Sequence, residues 1–244
     1  MPTKTHTPLG RILARLERFY GKPKPPRSIL PSLSRAADPY EMILYANCGY
    51  PATDRVCAKG FEALKKEVGL RPDDILNAPE EKLTEVFRGT GMFPEKRGQR
   101  IREIAARVKH EFGGNLGAVL KGPLEEARKA LKKFPTIADP GADKILLFTR
   151  TAPVAAVPSN CVEVTVRLFR GATYKNYGQN YRAAQEVLRE GLPADCDSLV
   201  RAHLLLKLHG QEICKRAHPL CEQCPVFSSC AYFRLMRRNE PQND

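Results

Sequence analysis

Four cysteines near the C-terminus, Cys214-x6-Cys221-x2-Cys224-x5-Cys230, constrain this chain more than any other feature. Thiolates this close in sequence can converge on one metal centre, and the pair Cys221 and Cys224 flanks the tight turn that a chelate requires. Zinc accepts four thiolates, and so does a [4Fe–4S] cube. Zinc ribbons and knuckles use two close pairs, whereas here one pair is close and the outer cysteines stand apart. A wide loop around a bulky cube fits that spacing better. Cys48, Cys57, Cys161 and Cys196 are scattered and read as core thiols.

The 244 residues suffice for one large domain or two modest ones. Lys and Arg outnumber Asp and Glu by 40 to 27, a formal charge of +13. An excess of this size points to a polyanionic partner rather than to solubility alone. No run approaches the roughly 20 apolar residues that span a bilayer, and Met1 to Tyr20 lacks the apolar core of a signal peptide. The expectation is a cytoplasmic, nucleoid-associated protein with no membrane partner. In that reducing compartment, eight cysteines argue for metal binding over disulfides. With ten Phe, eight Tyr and no Trp, the composition does not suggest an aromatic-lined single-strand groove.

The apolar periodicity is helical almost throughout. A basic amphipathic segment, Leu9 to Tyr20, is followed by a Pro-rich linker, Gly21 to Pro31. Asp38 and Pro39 pair a cap with a first-turn proline. Val56, Cys57, Phe61, Leu64 and Val68 form one stripe within Asp54 to Val68, and Ile101, Ile104, Ala105, Val108 and Phe112 form another. Asp73, Pro79 and Pro94 mark further starts or loops. Leu124 to Leu131 and Ala142 to Phe148 read as helices about a turn-rich segment, Phe134 to Gly141. After a loop, Thr149 to Ser159, helical patterns return at Val162 to Phe169, Tyr181 to Glu190, Asp195 to His209 and Pro225 to Arg237. The pattern predicts an all-α protein.

The run His209-Gly210-Gln211-Glu212-Ile213-Cys214-Lys215-Arg216-Ala217-His218-Pro219-Leu220-Cys221-Glu222-Gln223-Cys224-Pro225 resembles the cluster segment of the endonuclease III-like, helix–hairpin–helix DNA glycosylases. The resemblance extends over roughly Ser32 to Tyr232. It implies a [4Fe–4S] cofactor on the four cysteines and double-stranded DNA, intact or damaged, as the partner of a monomer. It implies a two-lobed fold: residues 1–31 pack with the C-terminal lobe, 32–152 form a helical barrel ending in the hairpin, and 153–244 carry the cluster. DNA would lie across the cleft between the lobes, with the target base extruded into it. The loop that meets the DNA backbone in this family here holds Lys215, Arg216 and His218. Phe134-Pro135-Thr136-Ile137-Ala138 occupies the place of the family's Leu-Pro-Gly-Val-Gly hairpin, so Thr136 and Ala138 stand at its two phosphate-approaching glycines. Gly91-Met92-Phe93 resembles the loop whose apolar residue wedges into the duplex, making Met92 the candidate wedge. In Pro51-Ala52-Thr53-Asp54, Pro51 replaces the family's gap-filling Gln.

The chemical positions depart from the family. Bifunctional members carry a lysine after the hairpin that attacks the sugar and forms a Schiff base; here that position is Pro140. Active members carry an aspartate in a Val-Asp-Thr-His-like run; here Val157-Pro158-Ser159-Asn160 puts Pro158 there. Proline offers no acid, base or nucleophile. Lys144, one turn beyond Pro140, is the candidate replacement amine. Asp139, Asp143 and Glu163 are nearby acids that read first as cap or surface residues. Two functions follow from these residues: a divergent base-excision glycosylase, or a DNA-binding relative that recognises lesions or DNA shape without the usual Lys/Asp chemistry. Electron transfer through the cluster is a third and weaker reading, since no other feature suggests a redox partner.

Overall fold

In the computed structural model of the chain, residues 7–30, 32, 35–49, 53–90 and 92–238 are described. Pro51 and Gly91 therefore lie outside the described residues. The described residues form helices, turns and loops with no strand, so the fold is all-α. They divide into two compact units, Met1–Lys24 with Pro153–Asp244, and Pro25–Ala152.

The first unit begins with α1, Pro8–Tyr20, capped by the Thr7 hydroxyl, which accepts the Gly10 N–H at 3.0 Å. Its buried stripe, Leu9, Ile12, Leu13 and Leu16, follows the 3.6-residue period. That stripe carries α1 onto later helices of the same unit, α11 and α12 below.

The central unit holds α2 (Pro39–Gly49), α3 (Asp54–Glu67), α4 (Pro72–Asn77), α5 (Glu80–Phe87), α6 (Pro94–Glu111), α7 (Leu116–Val119), α8 (Leu124–Leu131) and α9 (Asp139–Phe148). Asp38 caps α2 by accepting the Glu41 N–H at 2.9 Å. α2 is apolar on nearly every side and packs against α3, α6, α7 and α9, which makes it the axis of this unit. α9 starts at Asp139, within the stretch expected to be a turn. Pro140 is tolerated in its first turn because no helical hydrogen bond is required of its missing N–H.

The first unit resumes with a short 3₁₀ turn, Ser159–Cys161, then α10 (Val162–Arg170), α11 (Tyr177–Gly191), α12 (Cys196–Glu212) and α13 (Ala231–Arg238). α10 stops at Gly171, where φ is +80° and an added Cβ would lie 2.4 Å from Leu235 Cδ1. α11 starts four residues before the expected Tyr181, because the Asn176 side chain caps it by accepting the Gln179 N–H. α13 starts at Ala231 rather than Pro225, since the cysteine loop runs on through Cys230. Cys48, Cys57 and Cys161 are buried as expected of core thiols. Cys196 departs from that expectation: it is the first residue of α12 and is half-buried.

Candidate functional site

Three groups of residues carry the site: the hairpin between α8 and α9, the loop before α10, and the cysteine loop after α12. Each is built by contacts within its own unit.

In the hairpin, Phe134 is buried and stacks on Phe112, with ring centroids 5.6 Å apart. Thr136 takes the left-handed conformation, φ +64°, which costs an L-residue about 1–2 kcal/mol. Its hydroxyl donates to Asn47 Oδ1 at 3.2 Å, and Asn47 Nδ2 donates to the Pro135 carbonyl at 3.0 Å. Asn47 lies in α2 and is fully buried. Ala138 is extended, φ −99° and ψ −173°, a conformation that needs no glycine. Both Thr136 and Ala138 are exposed.

The acids and amine near the hairpin are already engaged. Asp143 is buried and accepts two guanidinium nitrogens of Arg128, Nε at 2.9 Å and Nη2 at 2.8 Å. Asp139 pairs with Lys132 at 2.6 Å. The Lys144 ammonium lies 5.7 Å from the centre of the Phe148 ring. Pro140 is half-buried in the first turn of α9.

Ahead of α6, Met92 is 72% exposed and Phe93 60% exposed, so neither is a core side chain. Phe93 adopts φ +59°, with the Lys96 ammonium 5.1 Å from its ring centre. Beneath this tip, buried Arg97 donates to the Thr90 carbonyl at 2.6 Å.

The loop before α10 is buried from Val154 to Pro158. Gln185 Nε2 donates to the Ala155 carbonyl at 3.1 Å, and His203 Nδ1 donates to the Ala156 carbonyl at 2.9 Å. The segment is thus rigidly held, and Pro158, the residue that the resemblance puts at the carboxylate position, is buried. Glu163, just beyond, pairs with Arg216 at 3.2 Å.

Cys214, Cys221, Cys224 and Cys230 line one pocket together with Arg167 and His209. Arg167 is the main organiser, which no pattern in the sequence marks. It donates to the Lys215 carbonyl at 2.8 Å and the Arg216 carbonyl at 2.7 Å, and it reaches Cys214 Sγ at 3.9 Å. On the other side, the Tyr20 hydroxyl shares a hydrogen bond with His209 Nδ1 at 3.0 Å, and His209 Nε2 lies 3.6 Å from Cys224 Sγ. Burial pushes the His209 imidazole down to about 4, so it is neutral. Burial also raises the thiols of Cys214, Cys221 and Cys224, the last to about 11, and the Arg167 hydrogen bond opposes the rise at Cys214. Among the described residues no group of three or more His, Cys, Asp or Glu side chains is arranged to hold a metal ion. Four thiols around one pocket, with Arg167 and His209 nitrogens close to two of the sulfurs, suit a larger thiolate-bound group. Lys215, Arg216 and His218 are all exposed on this loop.

The described residues thus combine an all-α frame with a helical hairpin between α8 and α9 and a four-cysteine loop after α12. No protein-family model matches the chain. It is 25% identical over 213 residues to an endonuclease III of Thermotoga maritima, covering 87% of this chain and 92% of the relative. It is 23% identical over 197 residues to a thymine-DNA glycosylase of Aeropyrum pernix, covering 81% and 84%. In three dimensions it matches an endonuclease III in a non-covalent complex with DNA, with a TM-score of 0.70 at 18% identity, over 98% of this chain and 100% of the other. A thermostable thymine-DNA glycosylase matches with a TM-score of 0.71 at 19% identity, over 93% and 97%. In sequence and in fold the chain is similar to the endonuclease III-like DNA glycosylases.

Proposed function

We propose that the protein is a double-stranded-DNA-binding member of the base-excision-repair glycosylases that lacks the family's usual Lys/Asp chemistry. The observation that carries this reading is the pair of prolines. Pro140 and Pro158 stand at the two chemical positions while the elements around them, α9 and the loop held by Gln185 and His203, are intact. The scaffold is kept and the reacting groups are missing.

Thr136 and Ala138 present the hairpin to a phosphate, Lys215, Arg216 and His218 supply cationic contacts to the backbone, and Met92 is the wedge. Such contacts position a duplex without reading its sequence. Arg216 contributes less than its charge suggests, because Glu163 lies against it. Cys214, Cys221, Cys224 and Cys230 hold a [4Fe–4S] cluster, which supplies iron–thiolate bonds that tie the loop into one piece. Arg167 and His209 orient the thiolates, and Arg167 also fixes the carbonyls of the two loop cations. In this proposal the protein works as a monomer on damaged or distorted duplex in the cytoplasm, associated with the nucleoid. No helix among the described residues is long and apolar enough to cross a membrane.

Binding of several unrelated duplexes, measured over a range of salt, tests this reading. Binding weakens steeply with salt, and Lys215→Ala with Arg216→Ala weakens every duplex alike. Removing a cation that neutralises one phosphate reduces the slope of log affinity against log salt by about 0.9. A slope unchanged by the double substitution contradicts the assignment of this loop.

A further inference from the structure

The segment between α10 and α11 does more than connect them. Arg170, the last residue of α10, pairs with Glu186 in the second half of α11 at 3.5 Å. Tyr177, the first residue of α11, donates its hydroxyl to the Ser159 carbonyl, ahead of α10, at 3.3 Å. The two helices therefore run side by side in the same direction, and residues 171–176 return the chain along them. That return brings Tyr177 to the end of α10 where Ser159 lies, with Tyr174 and Lys175 just before it in the chain.

The return segment is built rather than slack. Asn180 is buried, and its carboxamide accepts the Tyr174 N–H at 2.9 Å and donates to the carbonyls of Tyr174 at 2.7 Å and Asn176 at 3.1 Å. A buried amide with three such bonds fixes backbone geometry. The backbone it holds carries two exposed aromatic side chains at or beside it: Tyr174 is 45% and Tyr177 44% exposed. Tyr181, 6% exposed, stacks behind Tyr177 with centroids 6.2 Å apart and planes 17° from parallel. Lys175 is exposed beside them, and an added Cβ on Gly178 would lie 3.5 Å from Arg182 Nη1, which places that guanidinium at the same turn.

Rigid aromatic faces next to cations are the chemistry that holds an unstacked nucleobase and its phosphate. Resting on the DNA-binding reading above, we infer that Tyr174 and Tyr177 form a stacking platform for an unpaired or extruded base, beside a loop that carries no carboxylate to release it. The occupant is a nucleobase in DNA rather than an apolar segment, because the exposed ring faces suit a flat base and exposed Lys175 and Arg182 suit its phosphate.

The test compares the full-length protein on a matched duplex and on the same duplex carrying one bulged 2-aminopurine. The unaltered protein binds the bulged duplex more tightly and quenches the 2-aminopurine. Tyr174→Ala with Tyr177→Ala lowers affinity for the bulged duplex by about 10-fold or more, abolishes the quenching, and leaves matched-duplex binding unchanged. Tyr174→Phe with Tyr177→Phe keeps both the preference and the quenching, since it removes the hydroxyls and retains the rings. Matched-duplex binding with no preference for the bulge, or a preference that survives the alanine pair, overturns the platform and leaves the DNA-binding reading standing. Failure of the unaltered protein to bind any duplex overturns both.

Discussion

The buried carboxamide of Asn47 holds Thr136 in a left-handed backbone conformation that a β-branched residue otherwise avoids. It accepts the Thr136 hydroxyl and donates to the adjoining Pro135 carbonyl, so one side chain of α2 fixes two consecutive residues of the hairpin. Glycine reaches φ > 0 freely; this chain uses a polar anchor instead. Asn47→Ala should cost about 1–3 kcal/mol by leaving hairpin groups without a partner. Adding Thr136→Gly to that variant should recover part of the stability, because glycine needs no anchor there. Chemical denaturation of the two single variants and the double checks this; strictly additive effects would mean that the two residues act independently.

Asp143 is a structural acid. Its carboxylate is buried against Arg128 and joins the two helices of the hairpin motif, α8 and α9. Removing one partner of a buried ion pair leaves the other uncompensated and typically costs about 3–5 kcal/mol. Because Arg128 remains partly exposed and also pairs with Glu125 at 2.6 Å, Asp143→Ala should fall at or below the lower end of that range. Denaturant midpoints measure it. A variant of unchanged stability would free Asp143 for a chemical role.

Much of this architecture is legible in the residues themselves. Asp38 and Pro39 announce the start of α2, Cys57, Phe61 and Leu64 of the α3 stripe are buried as its period implies while Val56 and Val68 are half-buried, and the cysteine spacing marks a shared pocket. The features that are not legible are made by distant contacts. Asn47 reads as one polar residue in an apolar helix until α2 is packed beneath Pro135. Arg167 reads as an ordinary surface arginine until the cysteine loop folds over it. The start of α11 is hidden because its apolar stripe begins only at Tyr181, and the Asn176 cap is the one local signal before it. The return of residues 171–176 along α10 has no local signature, so Tyr177 gives no sign in sequence of reaching Ser159. Pro140 and Pro158 are readable only through the resemblance, since nothing in composition marks a missing nucleophile.

Purified anaerobically, the protein should carry about four irons and no zinc, with the broad visible absorption of a thiolate-bound cluster. Cys221→Ser should lower the iron content and loosen the loop, weakening duplex binding through Lys215 and Arg216. Elemental analysis and visible spectra decide the matter. Stoichiometric zinc without iron would contradict the assignment.

Restoring the absent groups probes how much of the scaffold is intact. Pro140→Lys with Pro158→Asp should gain base release or strand cleavage by at least about 10²-fold over the unaltered protein, the typical worth of one such group. Single-turnover cleavage of lesion-bearing duplexes measures it. Continued silence in a stably folded double variant would mean that the surroundings have been reshaped for binding alone.

The central claim, DNA binding without the family's covalent chemistry, is tested most directly by borohydride trapping on duplex containing an abasic site, with binding measured in the same samples. A Schiff base needs an amine within bonding reach of the sugar carbon, and the position that the proposed function gives it is Pro140. Lys144 lies one helical turn further along α9, a displacement of about 5.4 Å, with its ammonium near the Phe148 ring. The account predicts salt-sensitive binding and no covalent adduct. Efficient trapping that disappears in Lys144→Ala would contradict it and make the protein a lyase with a relocated lysine.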